Sequence, residues 1–163
     1  MAQGDEPTIR ILDSSSGIRT DFVDIPGGFQ GSPAVPVPVD SKKWLKIDVN
    51  YSTEAPNEVI PEVKFKVYIE APDVKGPRDS RADKFVILTG EATYVNVPAG
   101  AAGRELHAVF YVHPFTINRY GGEKNFHFGP GQNIHVDAYI GEQKAASKDA
   151  FEVAAADKNW YQS

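Results

Sequence analysis

The sequence contains no cysteine, which excludes disulfides, thiolate metal sites and a cysteine nucleophile together. That absence leaves the compartment open, because exported proteins can also do without cysteine. Methionine occurs once, and no apolar run approaches the roughly 20 residues a membrane-spanning helix needs. A concentrated basic stretch is missing as well. The densest, Lys64 to Lys84, is interrupted by Glu70, Asp73, Asp79 and Asp83, and the formal net charge is −5. A surface of that balance repels polyanions, so nucleic acid is not an expected partner. The opening residues, Met1-Ala2-Gln3-Gly4-Asp5-Glu6-Pro7, lack the charged segment and apolar core of a signal peptide. They read as a methionine placed before a mature exported start, with the signal segment removed.

The usual catalytic motifs are absent too. There is no Gly-x-Ser-x-Gly elbow, no phosphate-cradling glycine loop and no His-Glu-x-x-His. Gly27-Gly28 and Gly121-Gly122 read as turns or bulges, because no helix follows them. His107 and His113 share a strand face, but six residues put them about 20 Å apart, too far for one ion unless the strand bends at Pro114. His127 and His135 flank Phe128-Gly129-Pro130-Gly131, which could fold them together with Asp137 as a zinc or copper site. Hydrogen-bonded strand histidines are the favoured reading, so no metal and no cofactor is expected. The carboxylate pairs Glu58/Glu62 and Asp79/Asp83 are read as acidic loop residues rather than as a glycosidase pair.

What the chain does have is turns and alternation. It carries 14 glycines and 12 prolines in 163 residues, a length that fits one domain able to bury roughly 70% of its unfolded surface. Apolar residues recur with period two in Trp44–Tyr51 (Leu45, Ile47, Val49, Tyr51), Glu62–Glu70 (Val63, Phe65, Val67, Ile69) and Gln132–Ile140 (Ile134, Val136, Ala138, Ile140). That spacing predicts strands with one buried face. Thr8–Leu12 and Ile18–Val23 read as short strands, and Lys84–Leu88 with Ala92–Val97 as two strands or one broken by a bulge at Gly90. Glu105–Val112 is apolar on both faces, which predicts a central strand or one with an interface on its second face. Gly141-Glu142 predicts a hairpin into Gln143–Ser147. Ser32–Val39, with prolines at 33, 36 and 38, reads as an edge or polyproline-like connector. Asp149–Trp160 reads either as one or two helical turns or as a last strand, Ala150–Val153, and a tail.

The expected fold is therefore all-β: an immunoglobulin-like sandwich of about 7–9 antiparallel strands with little or no helix, in one domain over residues 1–163. Residues 1–7 are its flexible start and 154–163 its tail. The candidate contact residues are aromatic or lie in a loop: Tyr68 and Tyr139 on polar strand faces, Arg119 and Tyr120 before Gly121-Gly122, and Trp160-Tyr161 near the end. Tyr, Trp and Arg anchor interfaces, and flat rings also stack on sugars. The competing reading pairs Tyr68 and Tyr139 across strands for sheet stability.

The strand count, the hairpin around Gln132–Ser147, the missing cysteines and the start Ala2-Gln3-Gly4-Asp5 resemble a bacterial immunoglobulin-like domain. More narrowly, the chain resembles the immunoglobulin-like envelope proteins encoded beside type IV pilus assembly genes. The resemblance implies a periplasmic or cell-surface accessory protein with a protein partner and no catalytic residues to carry over. The hydrophobic N-terminal helix of a polymerising pilin is not in this sequence. A carbohydrate-binding module using Tyr120, Trp160 or the strand tyrosines is the alternative expectation, and a hydrolase comes third.

Overall fold

The computed structural model describes residues 6–12, 17–24, 43–55, 58–72, 85–99, 105–122, 126, 128, 132–151 and 159–162. Within them lie eight strands: β1 (Thr8–Ile11), β2 (Ile18–Val23), β3 (Trp44–Glu54), β4 (Val59–Pro72), β5 (Phe85–Pro98), β6 (Leu106–Val112), β7 (Ile134–Ile140) and β8 (Gln143–Asp149). They form two antiparallel sheets, as an immunoglobulin-like sandwich requires. In the first, β1 and β2 both pair with one side of β3, and β6 pairs with the other. The second runs β5-β4-β7-β8.

Alternation explains the core. On β4, Val63, Phe65, Val67, Ile69 and Ala71 point inward and are buried, while Lys64, Lys66, Tyr68 and Glu70 remain partly exposed. They face Leu45, Ile47, Val49 and Tyr51 of β3, with Ile134, Val136 and Ala138 of β7 beside them. Each large apolar side chain so buried contributes about 1.5–3 kcal/mol. β1 and β2 behave as one edge strand interrupted after Leu12: the Leu12 N–H donates to the Asn50 carbonyl, and the Asn50 N–H donates to that of Gly17. Gly17 lies so close to the Leu12 carbonyl that a Cβ there would collide with it.

Two expectations are corrected. β5 is one continuous strand, and Gly90 sits in register opposite Val67 without a bulge. The irregularity lies instead between Ala138 and Tyr139, where β7 meets β8. β6 is not central: among the described residues it pairs with β3 alone, and on its second face His107 and Tyr111 are exposed and Val109 is half-buried. The hairpin at Gly141-Glu142 forms as expected, with Gly141 at a φ of 61° that favours glycine. The Ser32–Val39 connector lies outside the described residues. β8 continues to Asp149, and Trp160–Gln162 forms a short 3-10 turn.

A short helix, α1 (Pro114–Arg119), was not predicted. His113 is its N-cap, accepting the Phe115 N–H on Nδ1 at 3.0 Å, and Pro114 follows at the position where a missing N–H costs nothing. At the other end Gly121 N–H donates to Asn118 and Gly122 N–H to Ile117, with φ of 102° and 84°. That is a Schellman closure, which needs the glycine pair. The helix drives Ile117 into the core and leaves Phe115 outside.

Burial also sets an alkaline limit. The phenol of Tyr51, inside the core, is pushed up to about 12 by burial and secondarily by the neighbouring Tyr94. The folded chain thus keeps this proton after the unfolded chain has lost it near pH ~10. The contribution is complete below that pH and disappears as pH climbs towards about 12. Tyr51→Phe should flatten the alkaline fall in melting temperature over this window, and an unchanged alkaline limb would contradict the assignment.

Candidate functional site

Four of the six candidate residues meet on the outer face of the second sheet. Register places Tyr68 of β4 opposite His135 of β7, and Tyr139 opposite Lys64. Tyr68 and Tyr139 therefore do not pair with each other across the strands. Tyr161, from the 3-10 turn, stacks flat on the His135 ring at 3.6 Å and 8°, and its ring lies 5.0 Å from that of Tyr68. Trp160 donates its Nε1–H to Asp149 Oδ1 at 3.1 Å.

Beneath these rings lies a polar cluster. His135, only 3% exposed, faces Asp149 Oδ1 with Nδ1 at 3.0 Å and Asp137 Oδ1 with Nε2 at 2.7 Å. The Ser147 hydroxyl donates to Asp137 Oδ1 at 2.7 Å and lies 2.9 Å from His135 Nε2. Lys144 Nζ stands 3.5 Å from Asp137 Oδ2. Burial works against the Lys144 charge, but Asp137, with Tyr139 and Tyr161, outweighs it and holds the ammonium above the usual lysine range. The Tyr161 phenol is pushed up, first by burial and then by Asp137. A hydrogen bond to Tyr68 does the same for Lys66, whose Nζ lies 5.2 Å above the Tyr68 ring.

Asp149, His135 and Ser147 stand in the order of a hydrolytic triad, yet the arrangement is closed. A nucleophilic serine gives its proton to a histidine nitrogen. Here Asp137 competes for that nitrogen, accepts the serine proton itself, and Tyr161 covers the ring. The two aspartates lie on opposite ring nitrogens, so they cannot share an ion with His135. Among the described residues, no group of three or more His, Asp or Glu could hold a metal ion. His127 lies outside those residues, so the His127–His135 convergence does too. A cleft of about 440 Å³ lies elsewhere, beside β1, lined by Thr8, Arg10, Thr53, Glu54 and Glu105 among others.

Arg119 and Tyr120 are not part of this cluster. They end α1, where Tyr120 packs against the core, so it is less exposed than a loop tyrosine would be, and the Arg119 guanidinium lies 6.0 Å from its ring.

A second aromatic group was not anticipated. Trp44 of β3 meets the His113 ring edge-on at 4.6 Å, and His113 in turn lies 4.7 Å from Phe115. Phe115 is 57% exposed, and Tyr111, on the same outer face of β6, is 39% exposed. The usable signal was the second apolar face of Glu105–Val112, which left an interface as one of its two readings. Farther along that face His107 pairs with Asp48 at 2.9 Å.

A family model matches residues 19–163 of the chain. Among solved structures the chain is similar to a crystal structure from Akkermansia muciniphila, with 21% sequence identity and a TM-score of 0.67. The alignment covers 95% of this chain and 75% of that one, and at such identity the likeness concerns the fold. A search of curated proteins gives no match.

Proposed function

The chain belongs to the family whose model spans residues 19–163, and from that premise we propose a non-enzymatic binding module of the cell envelope. It acts by protein–protein contact in the periplasm or at the cell surface, as an accessory to pilus or surface assembly. The observation that carries this reading is the aromatic row Trp44, His113 and Phe115, in which Trp44 is half-buried and His113 and Phe115 are exposed, with exposed Tyr111 nearby. Large aromatic side chains left outside a well-formed core mark contact sites, and such residues dominate binding energy where they enter a partner's pocket. The row is held in place: the His113 ring is fixed by its cap hydrogen bond to Phe115 N–H. It presents a preorganised surface that loses little freedom on binding.

Binding is favoured over catalysis because the one triad-like arrangement among the described residues is closed by Asp137 and Tyr161. Contact with protein is favoured over a sugar platform built on Trp160 and Tyr120, because both rings are engaged within the chain.

The test is capture of partners from envelope extracts of the source organism with the tagged domain, competed by untagged domain. If Phe115 is an anchor worth about 2 kcal/mol, Phe115→Ala weakens the captured interaction by roughly 30-fold. Arg119→Ala, away from the row, leaves it unchanged. Equal recovery by wild type and Phe115→Ala sinks the assignment of this surface, and a glycan array then becomes the next measurement.

A further inference from the structure

Among the described residues the two sheets have four edges, and three of them carry features that keep a further strand from pairing. β1 and β2 divide one edge into two short strands interrupted after Leu12. On β6 the N–H of Val109, at mid-strand, already donates to the Tyr94 hydroxyl. β8 lies against the irregularity at Ala138/Tyr139, and register sets Lys148 opposite buried Val136, so a charged residue stands on its inward face. β5 has none of these. It pairs residue for residue with β4 from Phe85 to Val95, carries Glu91 as its one charged residue, and has β4 as its one partner among the described residues.

One hydrogen bond fixes which groups that edge presents. The Glu70 N–H donates to the Asn133 carbonyl, so Glu70 turns its backbone away from β5 and towards the β7 side. Backbone groups alternate sides along an antiparallel strand. Ile69, Val67, Phe65 and Val63 therefore turn theirs towards β5, where they meet Leu88, Gly90, Ala92 and Tyr94. The N–H and C=O groups of Ile87, Thr89, Glu91, Thr93 and Val95 point away from the sheet, along an edge of about 27 Å. Their side chains share the outer face, where Thr89, Glu91, Thr93 and Val95 are exposed. On the inward face Leu88 and Tyr94, with Phe110 of β6, pack against the core yet stay partly uncovered.

We propose that the β5 edge is a strand-addition site, which takes an extended segment of a partner protein as a fifth strand of the second sheet. This deepens the reading of the chain as a contact module and rests on it. Backbone pairing supplies the affinity, and alternate side chains the selection. The segment that fits is two-faced. Its apolar residues cover Leu88, Tyr94 and Phe110, and its polar residues lie beside Thr89 and Thr93, with a cation beside Glu91. A second copy's β5 is a poor occupant. It brings Gly90 and Ala92 to the inward positions and another Glu91 to the outer face, so it supplies neither bulk nor counter-charge.

The probe is a synthetic peptide as long as Ile87–Val95, with valine at every second position, threonine between and one lysine at its centre. Hydrogen exchange of the backbone amides of the full chain is followed by NMR, without and with this peptide. In the free chain the amides of Thr89, Glu91 and Thr93 should exchange quickly, while those of Leu88, Gly90 and Ala92 are protected. The peptide then protects the outward set. Glutamate in place of its central lysine weakens binding roughly 2–5-fold. N-methylation of its threonines removes donors that reach β5 and abolishes binding. Thr89→Pro takes away one outward N–H and none of the β4 ladder, so it also abolishes binding, whereas Thr89→Val retains it. Outward amides already protected in the free chain, within one copy or in a dimer, overturn the proposal. Absence of peptide binding, or binding that survives N-methylation, does the same. Phe115→Ala leaves peptide binding unchanged, so failure here is distinct from failure of the aromatic row. If Thr89→Pro does not fold by far-ultraviolet circular dichroism, the N-methylated peptide decides with the unaltered chain.

Discussion

Phe65→Ala lowers the free energy of unfolding by about 3–5 kcal/mol. Phe65 is fully buried on β4, the central strand of the second sheet, with its ring 4.7 Å from Tyr51 and 6.0 Å from Tyr94. Those two rings come from different sheets, so truncation opens a void that neither sheet can close alone. β4 is held on both sides, by β5 and by β7, which limits its collapse into the space. In urea, where small proteins lose about 1–3 kcal/mol per molar, the midpoint should fall by more than about 1 M. A loss below about 1 kcal/mol would mean that the two sheets repack freely and that Phe65 does not organise the centre of the sandwich.

Asp137→Ala is expected to cost about 3–5 kcal/mol as well, for an electrostatic reason. Asp137 is 1% exposed and receives His135, Ser147 and Lys144 together. Its removal strands a buried imidazole and a lysine ammonium without their common acceptor. Ser147→Ala is the matched control. That hydroxyl sits at the exposed rim of the same cluster, and its loss should cost no more than about 1 kcal/mol. Comparable losses in the two variants by chemical denaturation would show that Asp137 is not the hub of the cluster.

The sequence carried the strands best where one face was wholly apolar. Leu45, Ile47 and Val49, or Val63, Phe65 and Val67, alternate without exception, and those strands form in the expected phase. It misled where a glycine stood inside a strand: Gly90 suggested a break, although pairing continues straight through it to Val67. Helix α1 escaped notice because six residues are too few for a helical period. Its cap is a histidine, rather than the serine, threonine or aspartate that usually announces a helix start.

The site was legible in part. Alternation placed Tyr68, His135, Asp137 and Tyr139 on the polar face of their strands, which is correct. It gave no sign that His135 would be covered there, because the covering ring, Tyr161, comes from another part of the chain. Local periodicity sees a strand's two faces but not what is later laid across one of them. Trp44 and Phe115 illustrate the same limit, since they lie far apart in sequence and meet only through His113.

The Tyr94 hydroxyl accepts the N–H of Val109 at 3.2 Å, linking an edge strand of one sheet to that of the other. Sheet edges with unspent amides invite copies of a protein to zip together flank to flank. On this flank of the sandwich a donor at the middle of β6 is already taken by a side chain from the opposite layer. A strand arriving there must first evict the phenol. Tyr94 thus leaves one fewer free amide on that flank for an incoming strand to pair with.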